Sequence, residues 1–376
     1  MTDLFKLPKL GFGLMRLPMR DDKIDYDTLN DMVDETMKHG FAYFDTAYSY
    51  HGGESESAAK QSIVSRYPRE SFFLADKLPA WEMHCPEDAS RLFDEQLERT
   101  GAGYFDFYLL HSIEENHLKT YDKYDCWNWA REMKAKGLIR HFGFSFHDTP
   151  ELLDKVLTEH PEVEFVQLQI NYVDWDNLIV HSGGCYEVAR KHNIPIVVME
   201  PVKGGTLASM QPKWETKLKS AAPGNSIASW AMRFCLSLEG IATILSGMST
   251  PEQLRDNIAT VRNFIPFTEM EKACLAEVTK EFLAAPTVAC TSCGYCVEGC
   301  PAKINIPGVI NAYNTVLTYG DHDRPHFYYR GLVSAGGRAG SCNQCGYCEE
   351  ICTQRLNVID VMKKASGIFD GEGACP

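Results

Sequence analysis

The chain has 376 residues, 44% hydrophobic and 23% charged, with 37 Lys+Arg against 51 Asp+Glu and a formal net charge of −14. So acidic a surface excludes nucleic acid as a partner and disfavours anionic membranes. No apolar run approaches the roughly 18 residues of a membrane span, and the N-terminus lacks the apolar core of a signal peptide.

Short apolar segments recur along the chain, each followed by an amphipathic stretch: KLGFGLMRL, FAYFDTA, SFFLADKL, FDFYLLHS, IRHFGFSF, FVQLQIN, IPIVVMEP and IATILSGM. Near-continuous apolar runs suit strands buried on both faces of a parallel sheet. Helical patterns lie between them. DYDTLNDMVDETMKHG ends at Gly40 and DASRLFDEQLERTG at Gly101, glycines placed to cap a helix. ELLDKVLTEHP stops at Pro161 and SIASWAMRFCLSLEG at Gly240. Eight strands alternating with helices over about 265 residues predict an α/β fold, a (β/α)8 TIM barrel. A doubly wound sheet is the alternative, but GFGLMR runs into LPMRDD rather than into the helix that a glycine fingerprint would open.

The strand ends carry the chemistry in such a barrel. Asp45 and Tyr50 follow FAYF, Lys77 follows FFLA and His111 follows FYLL. Alone, each is an ordinary polar residue; together, on three successive strands, they form a constellation. A phenol titrates near 10 unperturbed, and a neighbouring ammonium stabilises its phenolate. Lys77 can play that part for Tyr50, Asp45 can hold Lys77, and His111 can orient a substrate carbonyl. Trp81, His84, His117, Tyr121 and Trp127 lie nearby in sequence, as pocket lining or as loop core.

FTEMEKACLAEVTKEF, with Thr268 as N-cap, closes the barrel unit, and AAPTVA reads as a linker. The expected domains are 1–284 for the barrel and 287–376 for a small, α-rich unit. The latter opens with Cys290-T-S-Cys293-G-Y-Cys296-V-E-G-Cys300 and later holds Cys342-N-Q-Cys345-G-Y-Cys348-E-E-I-Cys352, with YGDHDRPHFYYRGLVSAGGRAGS as a connecting segment. Both groups fit C-x2-C-x2-C-x3-C, the pattern of bacterial two-cluster ferredoxins. A tight loop wraps three thiolates around one cubane, while the fourth cysteine reaches the other. That assigns Cys290, Cys293, Cys296 and Cys352 to one [4Fe–4S] cluster, and Cys342, Cys345, Cys348 and Cys300 to a second. Zinc also takes paired C-x2-C units, but has no need of the third cysteine. Gly294 and Gly346 are expected to allow close backbone approach to the cluster sulfurs. Clusters of this kind fit a reducing, cytoplasmic compartment. Of the 14 cysteines, six are scattered: Cys85, Cys126, Cys185, Cys235, Cys274 and Cys375.

FAYFDTAYSYHGGESE, ADKL and YLLHS resemble the aldo/keto reductase family, whose tetrad is Asp, Tyr, Lys and His, and the resemblance spans roughly residues 7 to 265. With the tail, the chain is similar to the ferredoxin-bearing branch of that family. The resemblance implies hydride exchange with NADP or NAD and a small-molecule carbonyl or alcohol as substrate. It makes Tyr50 the general acid, Lys77 its activator, Asp45 the partner of Lys77 and His111 the carbonyl-positioning residue. It places Ser145 and Gln167 at the nicotinamide carboxamide, Met15 and Arg16 in a loop touching the cofactor, and Asn257 on the adenine side. Four departures follow. Phe146 stands where the family has Asn; Met199 replaces the stacking aromatic; Gly247 and Gln253 occupy the places of the cations that grip a 2′-phosphate. Lys203 is a possible substitute cation. Two readings stay open: an NAD(P)-dependent oxidoreductase whose clusters pass electrons, or an iron–sulfur electron-transfer module that docks a redox protein partner and uses the barrel as scaffold or sensor.

Overall fold

The computed structural model describes residues 4–177, 180–284, 286–319, 323–334 and 336–371, and Cys375 lies outside them. The chain divides into two compact units: one of 1–202 with 207–276, the other of 203–206 with 277–376. Among the described residues no helix is long and apolar enough to cross a membrane.

In the first unit, eight parallel strands close a barrel in the order β1-β10-β9-β8-β7-β6-β5-β4. They are β1 (Leu10–Gly13), β4 (Tyr43–Asp45), β5 (Phe73–Pro79), β6 (Phe105–Ile113), β7 (Ile139–Phe146), β8 (Phe165–Gln169), β9 (Ile196–Met199) and β10 (Ile241–Ser246). All eight apolar segments of the sequence supply one strand each. The hairpin of β2 (Met19–Arg20) and β3 (Lys23–Ile24) precedes the first helix; strands of two residues leave no periodic signal.

Tyr43, Ala75, Phe107, Leu109, Phe165, Val197 and Leu245 pack together in one buried cluster of this unit. Gly143 serves the packing of β7 on β8: a Cβ there would lie 2.3 Å from the Phe165 carbonyl oxygen. The helices form where expected. Asp25 caps Tyr26–Lys38, which ends before Gly40 at φ 77°, and Asp88–Thr100 ends on Gly101 at φ 65°. The helix Ile227–Leu236 ends earlier than expected, and Gly240 at φ 77° belongs to the turn into β10. Thr268 caps Glu269–Leu283 through a reciprocal box: its hydroxyl accepts the Glu271 N–H at 3.2 Å, and Glu271 accepts the Thr268 N–H at 2.8 Å.

The second unit is helical. Short helices Tyr295–Glu298 and Tyr347–Glu350 follow the first two cysteines of each motif and hold the third, and Ile306–Tyr319 and Val358–Phe369 follow the fourth. The segment read as a connector contains a helix, Asp323–Ser334. Its anchor is Tyr329, which is buried, stacks on Phe369 at 4.6 Å and donates its hydroxyl proton toward Asp370. Its apolar neighbours Phe327 and Tyr328 are exposed, so the stretch gave the sequence no clean helical period.

Candidate active site and cysteine sites

Strand register places the four candidate barrel residues. Gly13 pairs with Asp45 on adjacent strands, Lys77 with Leu109, and Pro79 with His111. The strand β4 ends at Asp45, and the chain then turns through Tyr50, which opens a short 3-10 turn. His51 and Gly52 there take left-handed φ of 53° and 61°. The His51 ring helps hold this turn, because its Nε2 accepts the Leu17 N–H at 3.0 Å.

The Lys77 ammonium is 1% exposed and faces three acceptors: Asp45 Oδ1 at 2.7 Å, the Thr46 carbonyl at 2.7 Å and the Tyr50 hydroxyl at 3.4 Å. An ammonium has three hydrogens, so this set fixes the amine completely. Burial pushes the Asp45 carboxyl above the ordinary range, and Lys77 pulls it back. Asp45 Oδ2 is buried with no hydrogen-bond partner among the described residues. The two form a buried ion pair at 2.7 Å, so removing either leaves the other charge buried without it.

The His111 ring lies 6.2 Å from the Tyr50 ring, edge to face, and 5.0 Å from Trp81. Burial first, then Lys77, His147 and His117, hold its pKa well below the ordinary 6.5. That direction favours the neutral imidazole, which carries one N–H donor and one acceptor nitrogen. Tyr121, buried, directs its hydroxyl at the Leu78 carbonyl (2.7 Å) and the His111 carbonyl (2.8 Å), tying the ends of β5 and β6 together. No pattern in the sequence marked Tyr121 for that role. Of the other aromatics, Trp81 and His117 lie 5.6 Å apart beside His111, while Trp127 is buried and stacks on His160.

A depressed histidine makes folding pH-dependent. The neutral form is favoured in the folded state, so its stabilisation is present above the ordinary value and is lost as pH falls below it. We expect the denaturation midpoint to drop more steeply below pH 6.5 in the wild type than in His111→Gln; parallel curves would contradict a buried neutral His111.

The residues expected around a nicotinamide nucleotide also gather at strand ends. Ser145 pairs in register with Gln167; its hydroxyl accepts the Ser112 N–H at 2.7 Å. Gln167 is buried, and its Oε1 has no partner among the described residues, so it can take a carboxamide N–H. Met15 and Met199 are half-buried. Arg16 packs over Gly247, where a Cβ would lie 3.2 Å from its methylenes, and it pairs with Glu200 at 3.6 Å. Gln253 is exposed and spends its Oε1 on the Ser249 N–H at 2.7 Å, ahead of the helix Pro251–Arg262. Asn257 is buried and donates to Ser246 Oγ at 2.7 Å. Lys203, in the second unit, is buried with its ammonium 3.2 Å from Gln354 Oε1.

In the second unit the two motifs repeat their backbone. Ser292, Gly294 and Lys303 in one, and Gln344, Gly346 and Arg355 in the other, all take positive φ. Such turns point successive N–H groups into one concavity, as in many iron–sulfur sites. At Gly294 and Gly346, φ is 87° and 86°, and a Cβ would meet nothing within 4 Å. The left-handed backbone by itself calls for glycine at both positions.

Cys300, Cys342, Cys345 and Cys348 line one cavity, with Ile304, Ile306 and Met362 as apolar wall. Burial pushes the Cys296 thiol up, and the nearby thiols of Cys293, Cys290 and Cys352 push it further; burial and Cys342 raise Cys348 to about 11. Among the described residues no three His, Cys, Asp or Glu side chains close on a point as around a single ion. Cys300, Cys342, Cys345 and Cys348 instead surround a space, which fits a polynuclear group. The scattered Cys126, Cys185 and Cys235 are buried thiols; Cys85 and Cys274 are half-buried.

Comparison with known proteins agrees with both halves. Residues 9–280 match the aldo/keto reductase family, and residues 289–356 match a 4Fe-4S dicluster domain. An uncharacterized oxidoreductase of Bacillus subtilis is 25% identical over 313 residues, covering 74% of this chain and 95% of its own. The L-galactose dehydrogenase of Arabidopsis thaliana is 24% identical over 292 residues, covering 73% of this chain and 90% of its own. Among solved structures, an aldo/keto reductase of Klebsiella pneumoniae in complex with NADPH superposes with a TM-score of 0.58 at 18% identity. It covers 73% of this chain and 91% of its own, and shares the barrel fold.

Proposed function

The chain belongs to the aldo/keto reductase family, and from that premise we propose that its barrel interconverts a small-molecule carbonyl and an alcohol with NADP or NAD. The observation that carries the reading is the buried contact of Lys77 with Asp45 and Tyr50, next to a neutral His111. A bound nicotinamide supplies or accepts the hydride.

The chain's own residues do the rest. Tyr50 gives its hydroxyl proton to the carbonyl oxygen in reduction and takes it back in oxidation. The Lys77 ammonium stabilises the phenolate left behind, which makes the phenol a better acid. Asp45 and the Thr46 carbonyl hold that ammonium in place. His111 donates its N–H to the same carbonyl oxygen and fixes its direction. Gln167 Oε1 and Ser145 would hold the carboxamide of the nicotinamide, and Arg16 and Asn257 would serve the rest of the nucleotide. In the second unit Cys290, Cys293, Cys296 and Cys352 would hold one [4Fe–4S] cluster, and Cys342, Cys345, Cys348 and Cys300 the other. These groups, when bound, supply one-electron redox chemistry, suited to a redox protein partner.

Reduced-nicotinamide fluorescence tests the reading. Cluster-loaded protein should quench or shift the emission of NADPH or NADH at millimolar concentrations or below; no change with either would sink the reductase. A second reading, the barrel as scaffold for an electron-transfer module, is favoured by Gln253 being spent on a backbone N–H and Arg16 being paired with Glu200. It gains if iron titrates reversibly with a reductant while no nucleotide binds.

Trp81 sits against His111 and is the aromatic best placed to meet a substrate. Trp81→Ala should raise KM for the carbonyl about tenfold, the worth of one apolar contact, with iron content unchanged. An unaltered KM would remove Trp81 from the pocket.

A further inference from the structure

Side chains alternate across a strand, so Asp76 points out of the barrel where Lys77 points in. There it joins a buried polar cluster. Asp76, Glu56 and Gln96 are all 0% exposed. Asp76 Oδ1 accepts the Lys77 N–H at 2.8 Å. Gln96 Nε2 lies 3.0 Å from the Lys77 carbonyl, 2.9 Å from Asp76 Oδ1 and 3.0 Å from Glu56 Oε1. The Tyr108 hydroxyl, 2.6 Å from Gln96 Oε1, fixes which way that amide faces. Both backbone polar groups of Lys77 thus meet one pair of side chains.

Two counts bear on the charge of this cluster. Gln96 Nε2 has two hydrogens and faces three acceptors, so one hydrogen is missing. Three carboxyls, Asp45, Glu56 and Asp76, are buried with two cations. Lys77 sits on Asp45 at 2.7 Å and Arg99 on Glu56 at 3.0 Å. Asp76 has no cation at ion-pair distance, and its Oδ2 is buried with no hydrogen-bond partner among the described residues. A proton on this carboxyl supplies the missing hydrogen and removes the third charge, where an unpaired buried carboxylate would be costly.

We propose that Asp76, as a neutral carboxylic acid, and Gln96 are the positioning residues of Lys77, clamping its peptide from behind β5 and so setting how its ammonium meets Tyr50. The proposal rests on the reading that Lys77 serves Tyr50. Among the described residues the charged and titratable groups around Asp76 are Glu56, Tyr108, Asp45 and Lys77, with Arg99 beyond them on Glu56. Burial first, then the Glu56 charge, holds the Asp76 carboxyl well above its ordinary range against the pull of Lys77.

The test uses full-length, cluster-loaded chain with Asp76→Ala, Gln96→Leu and Asp76→Asn. Tyr50 is followed by NMR of tyrosine labelled at Cζ, its signal assigned by loss in Tyr50→Phe; this needs no substrate. Asp76→Ala and Gln96→Leu should move the Tyr50 titration midpoint upward. They should also lower kcat about tenfold, with KM for the nucleotide within about twofold, as loss of positioning alone does. Asp76→Asn, which keeps shape and neutrality, should recover most of what Asp76→Ala loses. An unmoved Tyr50 midpoint in both disruptive variants overturns the clamp. Asp76→Asn behaving like Asp76→Ala overturns the neutral acid.

If the disruptive variants do not fold, Asp76→Asn still decides on stability. A carboxyl raised in the folded state stabilises below its ordinary value and loses that contribution as pH rises. Asp76→Asn should therefore gain stability relative to wild type between pH 4 and 8; a constant difference overturns the proposal. Should wild type reduce no carbonyl while the Tyr50 midpoint still moves in the variants, the clamp stands and the catalytic reading falls.

Discussion

Tyr50→Phe is expected to lower kcat for carbonyl reduction by roughly 10²- to 10⁴-fold, the usual worth of a positioned general acid, while nucleotide affinity changes by less than about twofold. The two effects separate because the substitution removes one oxygen and keeps the ring, which stands edge to face with His111. The ring is needed for packing; the hydroxyl is the proton source beside Lys77 at 3.4 Å. Single-turnover kinetics with a saturating nucleotide would measure the chemical step directly. A variant that keeps more than about a tenth of wild-type kcat would mean that the proton comes from elsewhere, with His111 the next candidate. A variant that also loses the nucleotide would mean that the phenol holds the cofactor rather than the proton.

Lys77→Met should do two things at once. Turnover should fall as far as in Tyr50→Phe, because no cation remains to stabilise a phenolate. Stability should fall by about 3–5 kcal/mol, because Asp45 is left buried without its counter-ion. Asp45 is 3% exposed and burial already presses its carboxyl upward. The double variant Lys77→Met with Asp45→Asn separates the effects. It removes both charges, so most of the stability should return while activity stays lost. Denaturation followed by far-ultraviolet circular dichroism reads the first quantity, and kcat the second. If the single variant is as stable as wild type, the Asp45 carboxyl takes up a proton at no cost and the pair is not an ion pair in the folded chain. If the double variant regains activity, Lys77 is structural only.

The candidate site was legible in the sequence where chemistry and spacing coincide. The thiol pattern carries its own geometry, because three cysteines at close spacing must wrap one object and the fourth cannot. Asp45, Lys77 and His111 were legible because each stands at or near the end of an apolar run, Tyr50 because it lies five residues after Asp45, and strand ends of a barrel face one way. The nucleotide contacts were legible only through resemblance. What the side chains of Gln253 and Arg16 actually bond is a matter of neighbours far along the chain, Ser249 and Glu200, that no local pattern pairs with them.

The sequence by itself determined the alternation of eight buried strands with capped helices and the two spaced groups of four cysteines. Burial period, capping residues and ligand spacing act over a few residues and leave local traces. Only the tertiary structure decided that the helix Asp323–Ser334 forms around the stack of Tyr329 on Phe369, and that Tyr121 ties the ends of β5 and β6. It alone brought Glu56, Asp76 and Gln96 together behind Lys77. The physical reason is the same in each case. A buried polar group must find its partner wherever the fold supplies one, and that partner's place in the chain follows from the closing of the barrel rather than from any nearby residue.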